Sequence, residues 1–432
     1  MESGAIDLAN AARLERDDIV HRKNAALLSA DESGALRSAF EQIKQISVDA
    51  RGDDRGFFAH AGMHGVPFWE CPHHSPQRIF LPWHRAYLYR LEQSLADRVE
   101  GVTLPWWDWT TTREIPAPFA EPQAGGAANP LFSSKTLVTA ADVREGAPVI
   151  KETSRDPSPA EFLPSPDDLT DVFAQPSFAV FSDACENIHD GVHGWVGGTM
   201  GNVGYAAFDP VFWAHHCMID RVWWLWQQDG RMNAVPFAGW EDLVLEPFNL
   251  TVRDVLNANA LGFDYADSET LLVPDAAAGT PGAILVTQPV ARADAVPAGD
   301  FSTAHLEIGG IKHTGSSYEG RVFLNAPGAT LESGTDPAEG YIGSFHVFGH
   351  GGCFGAAGHC EAPDERRRFD NRPLARAIRM KKRVDITEAL RSAAAAGEEL
   401  QFTIVARVSD GIAGLDPEGV LDVKRLSIVT YR

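Results

Sequence analysis

The stretch Asn187-Ile-His-Asp-Gly-Val-His-Gly-Trp195 carries two histidines, His189 and His193, four positions apart. On a helix, this spacing puts both rings on one face, close enough to share one metal ion. Taken alone, the pair also fits a zinc site or two unrelated surface histidines. The zinc-hydrolase pattern HExxH is absent at this point, because Asp190 rather than a glutamate follows the first histidine.

A second helix, predicted over Asp209-Pro-Val-Phe-Trp-Ala-His-His-Cys-Met-Ile-Asp220, should supply the next ligand. Asp209, followed directly by proline, is typical of a helix N-cap. His216 and Asp220 are four positions apart, so the carboxylate is predicted to accept the second ring N–H of a ligand histidine and fix its tautomer. His215 points about 100° away around the helix. We therefore choose His216 as the ligand.

Further histidines lie before these two helices, and the last of them follows Pro82 at the start of another predicted helix. They are His60, His64, His73, His74 and His84. Neutral imidazole is the commonest protein ligand for copper, zinc and iron. With few acids beside them, these histidines predict a metal centre of two halves built from imidazole.

Two runs resemble the two copper-binding patterns of tyrosinases, catechol oxidases and molluscan hemocyanins, the type-3 copper proteins: Phe80–Glu92 and Asp209–Asp220. Ala61-Gly-Met-His-Gly-Val-Pro67 and Leu104-Pro-Trp-Trp-Asp-Trp109 also resemble segments of that family. The likeness covers roughly Phe57 to Gln227, with both patterns in the family's order. It implies a mainly α, four-helix-bundle dicopper core with two copper ions as cofactors and dioxygen as co-substrate.

The resemblance also implies three histidines for each copper. These are His64, His73 and His84 for the first copper, and His189, His193 and His216 for the second. The spacing from His73 to His84 is two residues longer than usual, and His74 is closer to the usual length. Cys71 favours His73, because several family members have a cysteine two residues before this ligand, joined to it by a thioether bond.

Three further positions are predicted to act on the substrate by the same resemblance. Glu186 lies one turn before His189, as does a fungal glutamate that holds an ordered water; alternatively, Asp183-x-x-Glu186 is a helix capping box. Asp190 also matches the fungal pattern and could accept a proton or orient the substrate, or be a solvated helix residue. Val203 occupies the position of the substrate gate, where a small residue leaves room for monophenols.

These features favour a tyrosinase, which oxidises o-diphenols to o-quinones and hydroxylates monophenols, over a strict catechol oxidase. Phenols have a pKa of about 10, so a base near the second copper would help to remove their proton. The alternatives are a catechol or o-aminophenol oxidase without monophenolase activity, and a hemocyanin-like oxygen carrier.

The sequence changes character beyond about Leu261, where short β-like runs replace helical patterns. We predict a type-3 copper catalytic domain at residues 1–265, a linker at 266–285 and an all-β sandwich domain at 286–432. The predicted strands are Ala283–Val290, Ala304–Ile311, Arg321–Asn325, Ser344–Gly349, Glu399–Ser409 and Arg425–Tyr431.

This second part resembles the C-terminal domain of plant-type polyphenol oxidases, notably in Gly320–Asn325 and Gly343–His350. In that family the domain packs over the copper site and pushes a side chain into it, which gives a latent enzyme. Phe354 is our candidate for that side chain. Cys353 and Cys360 lie close to several histidines, which indicates either a copper-delivery site or a glycine-rich loop with incidental histidines.

Composition limits the partners and the compartment. The chain has 432 residues, a formal net charge of -22 and no long basic patch, which argues against nucleic acid. No apolar run is long enough for a membrane span, and residues 1–18 lack the apolar core of a secretory signal. Five cysteines in so long a chain favour a reducing compartment, so we expect a cytoplasmic protein. The expected partners are small phenolic substrates and, as an open option, a copper chaperone.

Overall fold

The computed structural model describes residues 19–72, 77–175, 177–265, 301, 303–313, 315–330, 332–350, 380–396, 400–408, 421–423 and 425–431. The predicted linker, the predicted strand Ala283–Val290, and the residues His73, His74, Cys353, Phe354 and Cys360 lie outside these ranges. No helix in the described ranges is long and apolar enough to cross a membrane.

The first part of the described chain is mainly helical. Its helices are α1 (Ala30–Asp49), α2 (Phe57–His64), α3 (Phe80–Ala96), α4 (Ala117–Ala120), α5 (Pro166–Phe173), α6 (Phe178–Val196), α7 (Pro210–Trp226) and α8 (Val252–Val255). Its short strands are β1 (Val20–Arg22), β2 (Gln123–Ala124), β3 (Ala127–Ala128), β4 (Val244–Leu245), β5 (Leu250–Thr251) and β6 (Phe263–Tyr265). One apolar core joins these elements, from Ala25 to Tyr265.

Helix α7 runs through the middle of this core, and its start confirms the sequence prediction. The Asp209 side chain accepts a hydrogen bond from the backbone N–H of Val211 at 3.0 Å, and Pro210 is the first helical residue. Nearly every residue of α7 is buried, including the polar ones. A helix that is buried all round belongs to the interior, so polar side chains on it must find partners there.

Helix α6 begins at Phe178, earlier than its predicted cap at Asp183, so the predicted capping box is wrong. The reason is packing: Phe178 and Phe181 extend the apolar face of the helix, and the Phe181 ring stacks on Trp226 with centroids 4.4 Å apart. Asp183 therefore lies within the helix, where its carboxylate accepts from Arg383 at 2.8 Å. Helix α3 likewise starts before Pro82, at Phe80.

The last part of the chain forms two antiparallel three-stranded sheets. Their strand orders are β10-β7-β12 and β11-β8-β9, with β7 (Thr303–Ile311), β8 (Tyr318–Leu324), β9 (Tyr341–Val347), β10 (Met380–Asp385), β11 (Phe402–Val408) and β12 (Arg425–Tyr431). Side chains of both sheets share a second apolar cluster, as expected for a sandwich. The all-β prediction is wrong in one respect, because helix α9 (Thr387–Ala396) follows β10.

Strand β9 lies against helix α6 and joins the two parts of the chain. The backbone N–H of His346 donates to Asn187 Oδ1 at 2.7 Å. The His346 ring packs on Gly191, where an added Cβ would lie 3.1 Å from the ring. Nearby, the Ser317 hydroxyl donates to the Gly201 carbonyl at 2.8 Å. The helix that carries the HxxxH pair is thus covered by the sheets. The exact domain boundaries stay predictions.

Candidate metal centre

Three imidazole nitrogens meet between helices α6 and α7. His193 Nε2 lies 3.0 Å from His189 Nε2 and 3.3 Å from His216 Nε2, and the last two atoms are 3.2 Å apart. Three nitrogens held about 2.0 Å from one first-row metal ion in tetrahedral directions would be about 3.3 Å apart. The donor atoms are therefore spaced as one shared ion requires.

The other ring nitrogens of this group face the protein. His193 Nδ1 is bonded to the carbonyl of Met200 at 2.9 Å, and His189 Nδ1 to Asp190 Oδ1 at 2.9 Å. Such bonds fix the tautomer that leaves Nε2 free to bind a metal. Among the described residues, His216 Nδ1 has no hydrogen-bond partner.

The predicted bond between Asp220 and His216 is wrong. Asp220 instead accepts from Arg85 Nε at 2.6 Å, from the Tyr265 hydroxyl at 2.5 Å and from Arg22 Nη1 at 3.4 Å. Two buried guanidinium groups attract a carboxylate more strongly than a neutral imidazole N–H does. The four-residue spacing from His216 to Asp220 therefore does not mark a hydrogen bond to a metal ligand. Asp220 instead pairs with the two arginines buried in the core.

His215 also lies in this group, and its ring stacks on His189 with centroids 5.2 Å apart. The choice of His216 over His215 rests on the Nε2 contacts of His216 described above. The ligand assignment itself stays a prediction.

The first half of the centre lies beside it. His64, Cys71 and His84 each offer a ligand atom within 4.8 Å of the others, and Cys71 Sγ is 3.7 Å from His84 Nε2. His64 Nδ1 is bonded to the carbonyl of Val203 at 3.2 Å, and His84 Nδ1 to that of Phe80 at 2.9 Å. In both histidines Nδ1 thus faces a backbone carbonyl, so Nε2 is the atom that would bind a metal.

Residues 73–76 are outside the described ranges, so the structure does not decide between His73 and His74 as the third ligand. The thioether between Cys71 and His73 also stays a prediction. Cys71 itself is buried within the first group.

The two halves form one centre. The rings of His84 and His216 stack with centroids 4.4 Å apart, and those of His64 and His216 are 6.0 Å apart. The described candidate ligands come from four helices, α2, α3, α6 and α7. A pair of metal ions fits this donor set, which is imidazole with one nearby thiol, a set suited to copper.

Burial keeps these histidines neutral and ready to bind metal. It lowers the pKa of His84 to about 4, and it lowers those of His64, His189, His193 and His216 well below the usual value. The neighbouring imidazoles add to the effect in these last four, since two close positive rings would repel each other.

This shift predicts that the metal-free protein loses stability in mild acid. The unfolded chain takes up protons on its histidines near pH 6.5, whereas the folded chain resists, so the stabilisation present above pH 6.5 is lost as the pH falls towards 4. Each such histidine contributes up to about 1.4 kcal/mol per pH unit. Thermal unfolding followed by circular dichroism should show a falling midpoint between pH 6.5 and 5. His84→Gln should flatten this slope; an unchanged midpoint over this range in the natural chain would contradict the prediction.

An aromatic ring from the second part of the chain covers the centre. Phe348, directly after β9, stacks on the His193 ring with centroids 4.0 Å apart and 14° between planes. Its ring also meets the His189 ring edge-on at 5.9 Å. Phe348 is buried and belongs to the apolar core of the helical part. Our sequence candidate, Phe354, lies outside the described residues.

Asp190 is buried behind the second half of the centre, so its reading as a solvated helix residue is wrong. Its Oδ1 meets His189 Nδ1, and its Oδ2 accepts from Lys382 Nζ at 2.6 Å. Lys382, which lies in a short basic run of strand β10, was not predicted as a site residue. The alternation of buried Met380, Lys382 and Val384 along that strand was the signal that could have found it.

The two other predicted residues also lie at the centre. Glu186 is half-buried, and its charge acts to raise the pKa of His84, which places it near the first half. Val203 is buried, and its backbone bonds both to His64 and to the carbonyl of Gly349, the latter at 3.2 Å. Their roles as water holder and gate stay predictions.

A cleft of about 1030 Å3 lies on the opposite face of α6, between that helix and the sheets. Asp190 and Gly191 line it, but none of the clustered histidines does. The cleft therefore lies beside Asp190, behind the centre, and the clustered histidines do not face it.

Comparison with known proteins agrees with this geometry. The sequence model for the common central domain of tyrosinase matches residues 54–229. A tyrosinase of Streptomyces lincolnensis is 31% identical over 248 residues, covering 52% of this chain and 88% of that protein. A G-type hemocyanin of Enteroctopus dofleini, comprising units Oda to Odg, is 29% identical over 263 residues; these cover 55% of this chain but only 8% of the hemocyanin.

The fold agrees as well. The solved structure of a latent aurone synthase, a polyphenol oxidase, superposes with a TM-score of 0.62 at 18% identity, over 96% of this chain and 90% of that chain. The chain belongs to the tyrosinase family of type-3 dicopper proteins.

Proposed function

We propose that this protein is a latent phenol oxidase, which oxidises o-diphenols to o-quinones and hydroxylates monophenols. The observation that carries the proposal is the Phe348 ring, stacked at 4.0 Å on His193. It supports the view that the face of the second half that Phe348 covers accepts a flat aromatic ring, which is what a phenol would present.

Copper would be held by the imidazole nitrogens of the two groups, with His73 as the predicted third ligand of the first. When bound, the copper pair supplies the electron transfer between phenol and dioxygen. In the balanced reaction, two o-diphenols give up four electrons and four protons, and one dioxygen becomes two waters. The chain's own part is to orient the phenol, guide its proton and exclude competing ligands.

Several side chains are placed for these tasks. Glu186, near the first half, is our candidate to hold a water that accepts the phenol proton. Val203 is small enough to leave the approach open to a monophenol. Asp190, the other base predicted from the sequence, has both carboxylate oxygens occupied, one by His189 and one by Lys382, so we leave it out of the proton transfer.

Latency follows from the position of Phe348. In the described form its ring fills the place above His193, so a phenol cannot stack there. Removal or displacement of the C-terminal sheets would expose the ring nitrogens.

A hemocyanin-like oxygen carrier is the second candidate, favoured by the 29% identity to a hemocyanin. A catechol or o-aminophenol oxidase without monophenolase activity is the third. Each has the same copper ligands, so the donor set alone does not separate them.

Oxygen consumption by the copper-loaded chain separates all three. L-tyrosine and tyramine would be compared with the matching catechols, before and after limited proteolysis or mild detergent. Oxidation of both classes after activation supports the proposal, and oxidation of catechols alone indicates a catechol oxidase. Reversible oxygen binding without turnover, even after proteolysis, would refute the enzyme and favour the carrier.

A further inference from the structure

A buried lysine of the C-terminal sheets reaches the metal centre. Lys382 lies on β10, and its side chain is 4% exposed. Its Nζ donates to Asp190 Oδ2 at 2.6 Å. The other oxygen of that carboxylate lies 2.9 Å from His189 Nδ1. A continuous polar chain therefore runs from the sheet, through helix α6, to a histidine whose Nε2 belongs to the metal group.

The position of Lys382 on its strand is unusual. Along β10, Met380, Lys382 and Val384 alternate inward with Lys381 and Asp385 exposed. Inward positions of a strand normally hold apolar side chains, and a charge there is costly unless it is paired. An apolar residue would fill that position at lower cost, so the lysine calls for a function that an apolar residue cannot supply.

Asp190 explains what that function is. A carboxylate that accepts the second N–H of a ligand histidine fixes the ring orientation and makes the other nitrogen a better donor. A buried carboxylate with no counter-charge would resist ionisation, and its side chain could rotate to bond other donors than His189. Lys382 supplies that counter-charge and holds the carboxylate on one side, so that its other oxygen stays on His189.

We propose that Lys382 is a positioning residue for the second metal site: through Asp190 it holds His189 with Nε2 directed at the metal. This inference rests on the proposed copper binding. It gives the C-terminal sheets a second task beside covering the centre, because they also support one of its ligands.

The test measures copper affinity, not oxidation. The full chain would be titrated with Cu(I) against a chromophoric chelator, without substrate. Lys382→Met is expected to weaken the second site about 10- to 100-fold, the usual effect of losing an outer partner of a ligand. Lys382→Arg should recover most of the affinity. Lys381→Met is the matched control. Lys381 is the next residue along the strand, its side chain is 40% exposed, and its ammonium group pairs with Glu307 away from the centre.

A double variant separates positioning from general damage, since Lys382→Met alone leaves a buried carboxylate unpaired. In Asp190→Asn/Lys382→Met no charge is stranded, and the amide oxygen can still accept from His189. If the ion pair positions the ligand, the double variant should stay about tenfold or more weaker than the natural chain. Wild-type affinity in either the single or the double variant would overturn the inference.

The outcome is distinct from that of the proposed function. Absence of phenol oxidation by proteolysed protein that still holds two copper ions would refute the oxidase and leave the copper titration to be judged by itself. Oxidation together with an unchanged copper affinity in Lys382→Met would refute only the role of Lys382.

Discussion

Replacing Phe348 by alanine is expected to raise catechol oxidation by the full-length chain about 100-fold. The ring stacks on His193 and is buried in the helical core. We take the free energy of withdrawing the ring as about 3 kcal/mol, the stabilisation from burying one phenylalanine. The open form would then be less than ~1% populated. Alanine is too small to cover the imidazole, so the site would stay open without proteolysis.

The measurement is the initial rate of quinone formation by the intact chain, with its length checked by mass spectrometry. Phe348→Leu is the matched control, because a branched apolar side chain still fills much of the space and should give a much smaller rise. If Phe348→Ala remains as slow as the natural chain while the proteolysed protein is active, then another group closes the site. If proteolysis releases the C-terminal sheets, Lys382 leaves together with the ring, and the two opened forms should then also differ in copper affinity.

Replacing Asp220 by alanine is expected to destabilise the protein by about 3–5 kcal/mol. Asp220 pairs with Arg85 and Arg22, and the side chains of both arginines are fully buried. Removal of the carboxylate takes from Arg85 its carboxylate partner in the core, while Arg22 keeps its ion pair with Glu92; a buried charge without a partner costs much more than loss of a surface pair.

Urea unfolding of the metal-free chain would measure this change. Asp53→Ala is the control, since Asp53 pairs with Arg55 at the surface and should change the stability far less than Asp220→Ala does. A loss below about 1 kcal/mol for Asp220→Ala would contradict the network described above. Because no hydrogen bond in the described part of the chain joins Asp220 to the clustered histidines, the folded variant should bind as much copper as the natural chain.

The sequence was most informative where the periodicity of a helix coincides with the needs of a metal. His189 and His193 were predicted on one helical face, and their Nε2 atoms lie 3.0 Å apart. The N-cap at Asp209 was confirmed for a similar reason, because a side chain that bonds its own helix start acts locally. The strand at Arg425–Tyr431 was predicted with its observed bounds, since alternation and turn residues are also local signals.

The errors arose where a residue has several partners to choose from. Asp220 has the spacing to reach His216, but Arg22 and Arg85 come from residues far away in sequence, and no local pattern announces them. Lys382 was missed because its partner lies 192 positions away; alternation with Met380 and Val384 indicates an inward side chain but does not identify Asp190 as its partner. Asp183 was predicted as the N-cap because it lies a short distance before the histidine pair. The helix instead starts at Phe178, which packs in the apolar core.

Withdrawal of the Phe348 ring would leave a cavity of defined shape in the helical part. The ring is part of the helical core rather than of the cluster between the sheets. Its withdrawal would therefore empty a slot with the shape of a benzene ring, lined on one face by the imidazole of His193. We infer that a phenol, which adds only a hydroxyl to the same outline, would fill that slot. On the proposed function, the same ring would both inhibit the protein and preserve the shape of the substrate site.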